Sequence, residues 1–150
     1  MIKPDGSLRV LEFNCRMGDP ETQPIMLRLK SNFVGIVDAA IDGRLNEVAA
    51  DWDRRVALGV VMAAANYPDT PRKGDVIHGL PARTEDSHVF HAGTATGKGE
   101  VVTAGGRVLC VTALGDNVKA AQRRAYEVLD QISFDGMQCR RDIGFRAIKR

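Results

Sequence analysis

Arg9-Val10-Leu11-Glu12-Phe13-Asn14-Cys15-Arg16-Met17-Gly18-Asp19-Pro20-Glu21-Thr22-Gln23 is the stretch on which the reading of this chain turns. Successive side chains of a strand point to opposite faces, so the alternation over Val10–Phe13 predicts Leu11 and Phe13 on one face with Glu12 and Asn14 on the other. A carboxylate beside a carboxamide oxygen suits a hard cation such as Mg²⁺. That ion takes oxygen ligands and usually completes its octahedron with water and substrate phosphates. Glu12 and Asn14 are therefore the candidate metal ligands. The same spacing also fits the solvated face of a half-buried strand. Arg16, Gly18, Asp19, Pro20 and Glu21 follow at once, in the loop after the strand where α/β folds usually carry their ligand groups. Gly18 permits close backbone approach, and Pro20 fixes one dihedral.

Outward from this stretch, Pro4-Asp5-Gly6 predicts a tight turn before it. A chain that opens within a hairpin, with Val10–Phe13 in need of a partner strand, is expected to be part of something longer. After the loop, Ile25, Met26 and Leu29 predict a helix over Thr22–Lys30, with Pro24 near its first turn. Ser31 is the expected cap of a second helix carrying Phe33, Val34, Val37, Ala40 and Ile41 and ended by Gly43. Residues 44–55 are polar and read as a connection. The period then changes. Val56–Ala65 is a nearly continuous apolar run, as in a strand buried on both faces. Short strands are expected at Asp75–Leu80, His88–Ala92, Glu100–Thr103 and Arg107–Leu114, between glycine-rich turns. A helix over Val118–Gln131 follows, capped by Asp116 or Asn117, with Val118, Ala121, Ala125, Val128 and Leu129 as its apolar stripe.

The chain has 150 residues, of which 44% are hydrophobic, enough to bury a real core in one domain or in a small domain plus a piece of another. Its 21 Lys and Arg against 19 Asp and Glu leave a net charge of +2, too balanced to make nucleic acid or a membrane surface the main partner. Three cysteines, Cys15, Cys110 and Cys139, make no C-x-x-C pair. An odd number argues against a secreted disulfide framework and for a reducing cytoplasm. Cys15 itself reads as a small buried residue. His88 and His91 fall on opposite strand faces and no carboxylate joins them at ligand spacing, so His78, His88 and His91 read as structural or surface groups. Gly93-Thr94-Ala95-Thr96-Gly97-Lys98-Gly99 lacks the strand–loop–helix context of a nucleotide-phosphate loop and reads as a β-turn.

The run Glu12 to Pro24 resembles the signature of the phosphoribosylamine-glycine ligases, or glycinamide ribonucleotide synthetases, of the ATP-grasp superfamily. The resemblance continues through Leu58-Gly59-Val60-Val61-Met62-Ala63-Ala64, Gly74-Asp75-Val76-Ile77-His78-Gly79-Leu80, Phe90-His91-Ala92-Gly93-Thr94, Gly105-Gly106-Arg107-Val108-Leu109 and Asp142-Ile143-Gly144-Phe145-Arg146. It covers essentially the whole chain but only the family's C-terminal part. Met17 stands where the family is expected to carry Phe, a volume-tolerant swap.

The resemblance implies an α/β (α+β) architecture: residues 1–50 as the end of an ATP-grasp catalytic lobe, and residues 51–150 as a small antiparallel β-rich domain with a packing helix. It implies ATP-dependent ligation of glycine to 5-phosphoribosylamine, with Mg²⁺ or Mn²⁺ held by Glu12 and Asn14. Arg16 would meet a carboxylate or phosphate, Asp19 and Glu21 would face substrate amino groups, and Arg16 and Asp19 would be the catalytic pair. Gly18 and Pro20 would complete the substrate-binding loop. The expected partners are the small-molecule substrates and the family's N-terminal portion. The isolated chain, lacking the adenine-binding lobe, is expected to be inactive. The alternatives are a non-catalytic binding module derived from such an enzyme and an ATP-grasp carboxylate-amine ligase with other substrates.

Overall fold

The structure, a computed structural model, describes residues 1–82 and 84–149. In chain order its elements are α1 (Thr22–Arg28), α2 (Phe33–Ile41), a 3-10 turn at Leu45–Glu47, β1 (Val56–Ala63), β2 (Ser87–His91), β3 (Thr94–Gly97), β4 (Glu100–Thr103), β5 (Arg107–Gly115), α3 (Val118–Leu129), β6 (Gln138–Cys139) and α4 (Phe145–Ile148). This is the expected α+β class.

The apolar run of β1 pairs antiparallel with β5, from Val56 opposite Gly115 to Met62 opposite Leu109. Strand β2 lies on the other side of β5 and β6 beside β1, so the sheet order is β2-β5-β1-β6. Both central strands are covered on both faces, which is why neither shows a polar alternation. On one face Leu58, Val60, Met62, Leu109, Val111 and Ala113 pack with Ala121, Ala125 and Leu129 of α3. The small side chains of α3 allow a close approach, and Gly115 completes it, since a Cβ there would stand 2.3 Å from the Ala121 nitrogen. Asn117 is the cap of α3, its Oδ1 accepting from the Ala120 N–H at 2.9 Å. Helix α1 lies over the other face of β1 and β5.

Four expectations are corrected. Val10–Phe13 forms no strand: Ile2 and Leu8 make one isolated bridge around the Pro4–Gly6 turn, and the chain then runs on without regular structure and with no ladder partner among the described residues. Leu11 and Phe13 are accordingly 72% and 88% exposed. Cys15, in the same stretch, is exposed rather than buried. Asn32, not Ser31, caps α2, because its Oδ1 accepts from Val34 N–H at 3.0 Å while the Ser31 hydroxyl accepts from Asp51 N–H at 2.7 Å. Asp75–Leu80 contributes only bridges from Val76 to Val102 and His78 to Ser133. Gly79 interrupts it at φ +73, where a Cβ would stand 1.9 Å from the Gln131 carbonyl oxygen.

The Gly93–Gly99 segment supplies β3 and the turn at Lys98 and Gly99, both at positive φ (51 and 85), of a hairpin completed by β4. Residues 44–55 return alongside α1: Leu29 bridges Trp52, and Arg28 O accepts from Asp53 N–H at 2.7 Å. Helix α1 is thereby tied to the residues leading into β1. No helix among the described residues is long and apolar enough to cross a membrane.

Candidate functional site

The loop between the extended N-terminal stretch and α1 is held at both ends. Gly18 is buried, and its carbonyl accepts from the Thr22 N–H at 3.0 Å and from the Thr22 hydroxyl, closing the loop onto the first turn of α1. The Glu21 carboxylate folds back over Gly18, so that a Cβ on Gly18 would lie 2.8 Å from Glu21 Oε2. A larger residue there would displace the Glu21 side chain from this position. Asp19 accepts from the Gln23 side-chain amide at 2.8 Å, and the peptide from Asp19 to Pro20 is cis.

The second anchor comes from the sheet. Arg107, the first residue of β5, donates from Nη1 to the Asp19 carbonyl at 2.9 Å, and its Nε stands 3.3 Å from Asp19 Oδ2. Nothing local in the sequence points to this pairing, although Gly105-Gly106-Arg107 is a conspicuous turn into a strand. The glycines have a steric reason. A Cβ on Gly106 would stand 2.6 Å from the Tyr67 ring, and one on Gly93 would stand 2.7 Å from the Arg107 carbonyl oxygen. That oxygen accepts from the Gly93 N–H at 2.8 Å. The segments 90–94 and 105–109 thus meet at the base of the arginine.

All seven residues singled out from the sequence, Glu12, Asn14, Arg16, Gly18, Asp19, Pro20 and Glu21, line one open cleft of about 580 Å³ together with Met17 and Arg107. Arg16 makes no ion pair among the described residues; its Nη1 donates to the Met17 carbonyl at 3.3 Å. No group of three or more His, Cys, Asp or Glu gathers as a metal cage among the described residues. Glu12 and Asn14 are two of the oxygen-bearing side chains lining the cleft, beside Asp19 and Glu21, and such a pair could hold an ion that draws its remaining ligands from water and phosphate.

Beyond Pro20 and Arg107, which line both, lies a second cleft of about 370 Å³, floored by Gly59, Val61 and Ala63 of β1 and walled by Tyr67 and by Gln138 to Arg140. Its outer wall is tied to α3 by Tyr126, whose hydroxyl donates to the Arg140 carbonyl at 2.8 Å and accepts from the Ile143 N–H at 3.2 Å. Burial raises the Tyr126 hydroxyl above the ordinary range. Burial likewise pushes up the Cys110 thiol, which lies beneath α1 with its sulfur 3.6 Å from the Thr112 hydroxyl. Both groups stay protonated at neutral pH.

An antiparallel sheet covered by one helix on each face, with a carboxylate- and guanidinium-lined loop strapped to a strand end, defines an α+β fold with a polar cleft beside that loop. Residues 57–146 match the family described as "Phosphoribosylglycinamide synthetase, C domain", and the chain belongs to that family. Over its full length it is 65% identical to a protein named phosphoribosylamine–glycine ligase from Ralstonia nicotianae, and 59% identical to one from Escherichia coli O157:H7. It spans 36% and 35% of those two relatives. It is also similar to the crystal structure of phosphoribosylamine–glycine ligase from Thermotoga maritima, at 41% identity and a TM-score of 0.72, over 93% of this chain and 34% of that one. The chain thus corresponds to the C-terminal portion of such proteins.

Proposed function

We propose that this chain is the C-terminal part of an ATP-grasp phosphoribosylamine–glycine ligase acting in purine biosynthesis in the reducing cytoplasm. Residues 1–50 would close its catalytic lobe, and residues 51–150 would form the β-rich domain packed on it. The observation that carries this reading is the convergence of Glu12, Asn14, Arg16, Gly18, Asp19, Pro20 and Glu21 on one cleft, in a chain 65% identical throughout to a protein of that name.

In this reading the γ-phosphoryl group of ATP passes to the glycine carboxylate, giving an acyl phosphate and ADP. The amine of 5-phosphoribosylamine then attacks the acyl carbon, phosphate leaves, and the amine gives up a proton. Phosphoryl transfer needs charge neutralisation and alignment far more than covalent help from the protein. Glu12 and Asn14 would hold Mg²⁺ or Mn²⁺, which supplies charge neutralisation on the phosphates when bound. Arg16, free of any carboxylate partner among the described residues, would receive an anionic group of the substrate in bidentate fashion. Asp19 and Glu21, on the rim of the same cleft, would accept from the substrate amino groups.

The remainder of the enzyme would lie against the apolar groups this chain leaves outside. Leu11 and Phe13 are joined there by Val34 and Ile41 of α2, which are 64% and 78% exposed. The deciding assay is ADP release that requires ATP, glycine and phosphoribosylamine together. It is run on this chain, on the N-terminal portion of the ligase, and on their mixture. We expect no turnover by this chain, because positioning supplies nearly all of the catalysis and the groups that hold ATP are elsewhere. Robust turnover by this chain alone would overturn the reading.

A further inference from the structure

We infer that Arg107 is the positioning residue of the candidate site, setting through Asp19 how the Gly18–Pro20 loop faces the cleft. The kinetic consequences rest on the ligase reading; the structural ones do not. The guanidinium takes the main-chain carbonyl and the carboxylate of one residue, through Nη1 at 2.9 Å and Nε at 3.3 Å. The Nη1 hydrogen bond holds the tilt of the peptide, while the Nε contact is an ion pair that draws the Asp19 carboxylate to the same guanidinium. A lysine offers a mobile point charge without the planar, fixed set of donors.

The base from which the arginine reaches is rigid. Its carbonyl is held by the Gly93 N–H at 2.8 Å, and the next two residues of β5, Val108 and Leu109, are 0% and 1% exposed. The loop's own ties are short-range: the Gly18 carbonyl accepts from Thr22, and among the described residues Asp19 is otherwise hydrogen-bonded only to Gln23, four residues on. Arg107 therefore transmits the position of the sheet to the loop.

Magnitudes separate this role from a merely structural one. The side chains of Arg107 and Asp19 are each 43% exposed, and an ion pair that open to water adds little to stability. A displacement of about 1 Å at a reacting group, by contrast, costs on the order of 10²-fold in rate. Loss of Arg107 is thus expected to spare the fold and damage the site.

The test compares Arg107→Gln, Arg107→Lys, Asp19→Ala and the double variant Arg107→Gln/Asp19→Ala in the full-length ligase that carries this segment. Arg107→Gln is expected to raise the KM for glycine or phosphoribosylamine by about tenfold or more, with the KM for ATP within about twofold of wild type. Arg107→Lys should recover little of this. In the Asp19→Ala background the same Arg107→Gln step should cost several-fold less than in wild type. The inference is overturned by no kinetic effect, by a uniform loss in every parameter that follows the folded fraction, or by an equal cost in both backgrounds. The last outcome would mean that Arg107 meets substrate directly.

A second measurement is independent of the ligase. In this 150-residue chain, Arg107→Gln should move the backbone amide resonances of Gly18 and Asp19 and leave those of β1 in place. Unmoved loop resonances overturn the inference even where the kinetics change. Absence of ligase activity in the wild-type full-length protein would sink the ligase reading and leave this measurement to decide the role of Arg107.

Discussion

Gly59 of β1 lies directly beneath Pro24 of α1: a Cβ on Gly59 would stand 3.4 Å from the Pro24 Cγ, 3.1 Å from the Cys110 sulfur and 3.3 Å from the Thr112 hydroxyl oxygen. The helix that follows the candidate loop therefore rests on a bare patch of sheet. Gly59→Val should lift α1, destabilising the chain by about 1–3 kcal/mol, the usual cost of overpacking a filled site. Urea unfolding would show this as a lower midpoint with an unchanged slope. A midpoint equal to wild type would mean that α1 is not docked there.

What was legible in the sequence is what is buried on both faces or punctuated by glycine. Strand β5 stands out as an apolar run because both of its faces are buried, β1 because its second face is covered by α1 or floors an apolar stretch of cleft, and the stripe of Ala121, Ala125 and Leu129 marks the side of α3 that meets them. The candidate residues share one cleft because they lie close together in the chain, between Glu12 and Glu21. The strand expected over Val10–Phe13 was not real, since alternation describes a pattern of side chains and says nothing of a hydrogen-bonding neighbour. Arg107 was beyond reach for a different reason. Its partner Asp19 is 88 residues away, and only the folded sheet brings them together. Gly79, likewise, breaks an apparent strand through a contact with Gln131 that no local pattern encodes.

Acid should weaken the tie between α1 and the sheet. The Asp53 carboxylate accepts from Arg55 Nε and Nη2 and from the Arg55 N–H, contacts that hold its pKa well below the ordinary carboxylate range. Arg55 also pairs with Asp86, while the Asp53 carbonyl accepts from Arg28 of α1 at 3.1 and 3.0 Å. A folded pKa below the unfolded one contributes stability that is present above pH of about 4 and lost as pH falls towards the folded value. The urea midpoint of the chain should therefore fall on acidification from about pH 5. Asp53→Asn should narrow its gap to wild type over the same range. Wild-type and variant curves that stay parallel would refute the assignment.

Metal affinity should depend on parts this chain does not supply. Glu12 and Asn14 line the cleft together, but one carboxylate and one amide hold Mg²⁺ weakly without nucleotide phosphates. Calorimetric titration of this chain with Mg²⁺ or Mn²⁺ should show no tight site. In the full-length ligase Glu12→Gln should lower turnover on the order of 10²-fold or more, the scale on which enzymes lose rate when a preorganised electrostatic group is removed. Wild-type turnover in that variant would remove Glu12 from the metal site.

If the proposed ligase reading holds, amide exchange should separate the sheet from the segments that the rest of the enzyme would cover. The amides of β1 and β5 are paired in a ladder from Val56 to Met62 and covered by helices on both faces, so they should exchange only with the largest openings. Helix α1 is docked on one side and should be intermediate. Residues Val10–Asn14 have no ladder partner among the described residues, and α2 buries only Ala39. Both should therefore exchange fastest. Addition of the N-terminal portion of the ligase should slow exchange at Val10–Phe13 and on the face of α2 that carries Val34 and Ile41, while leaving β1 and β5 as they were. The reason is energetic as well as geometric: Leu11, Phe13, Val34 and Ile41 are each more than half exposed, and covering a large apolar side chain contributes about 1.5–3 kcal/mol. Uniformly strong protection of residues 1–50 in this chain alone would instead show a self-contained domain, with no surface waiting for the rest of the enzyme.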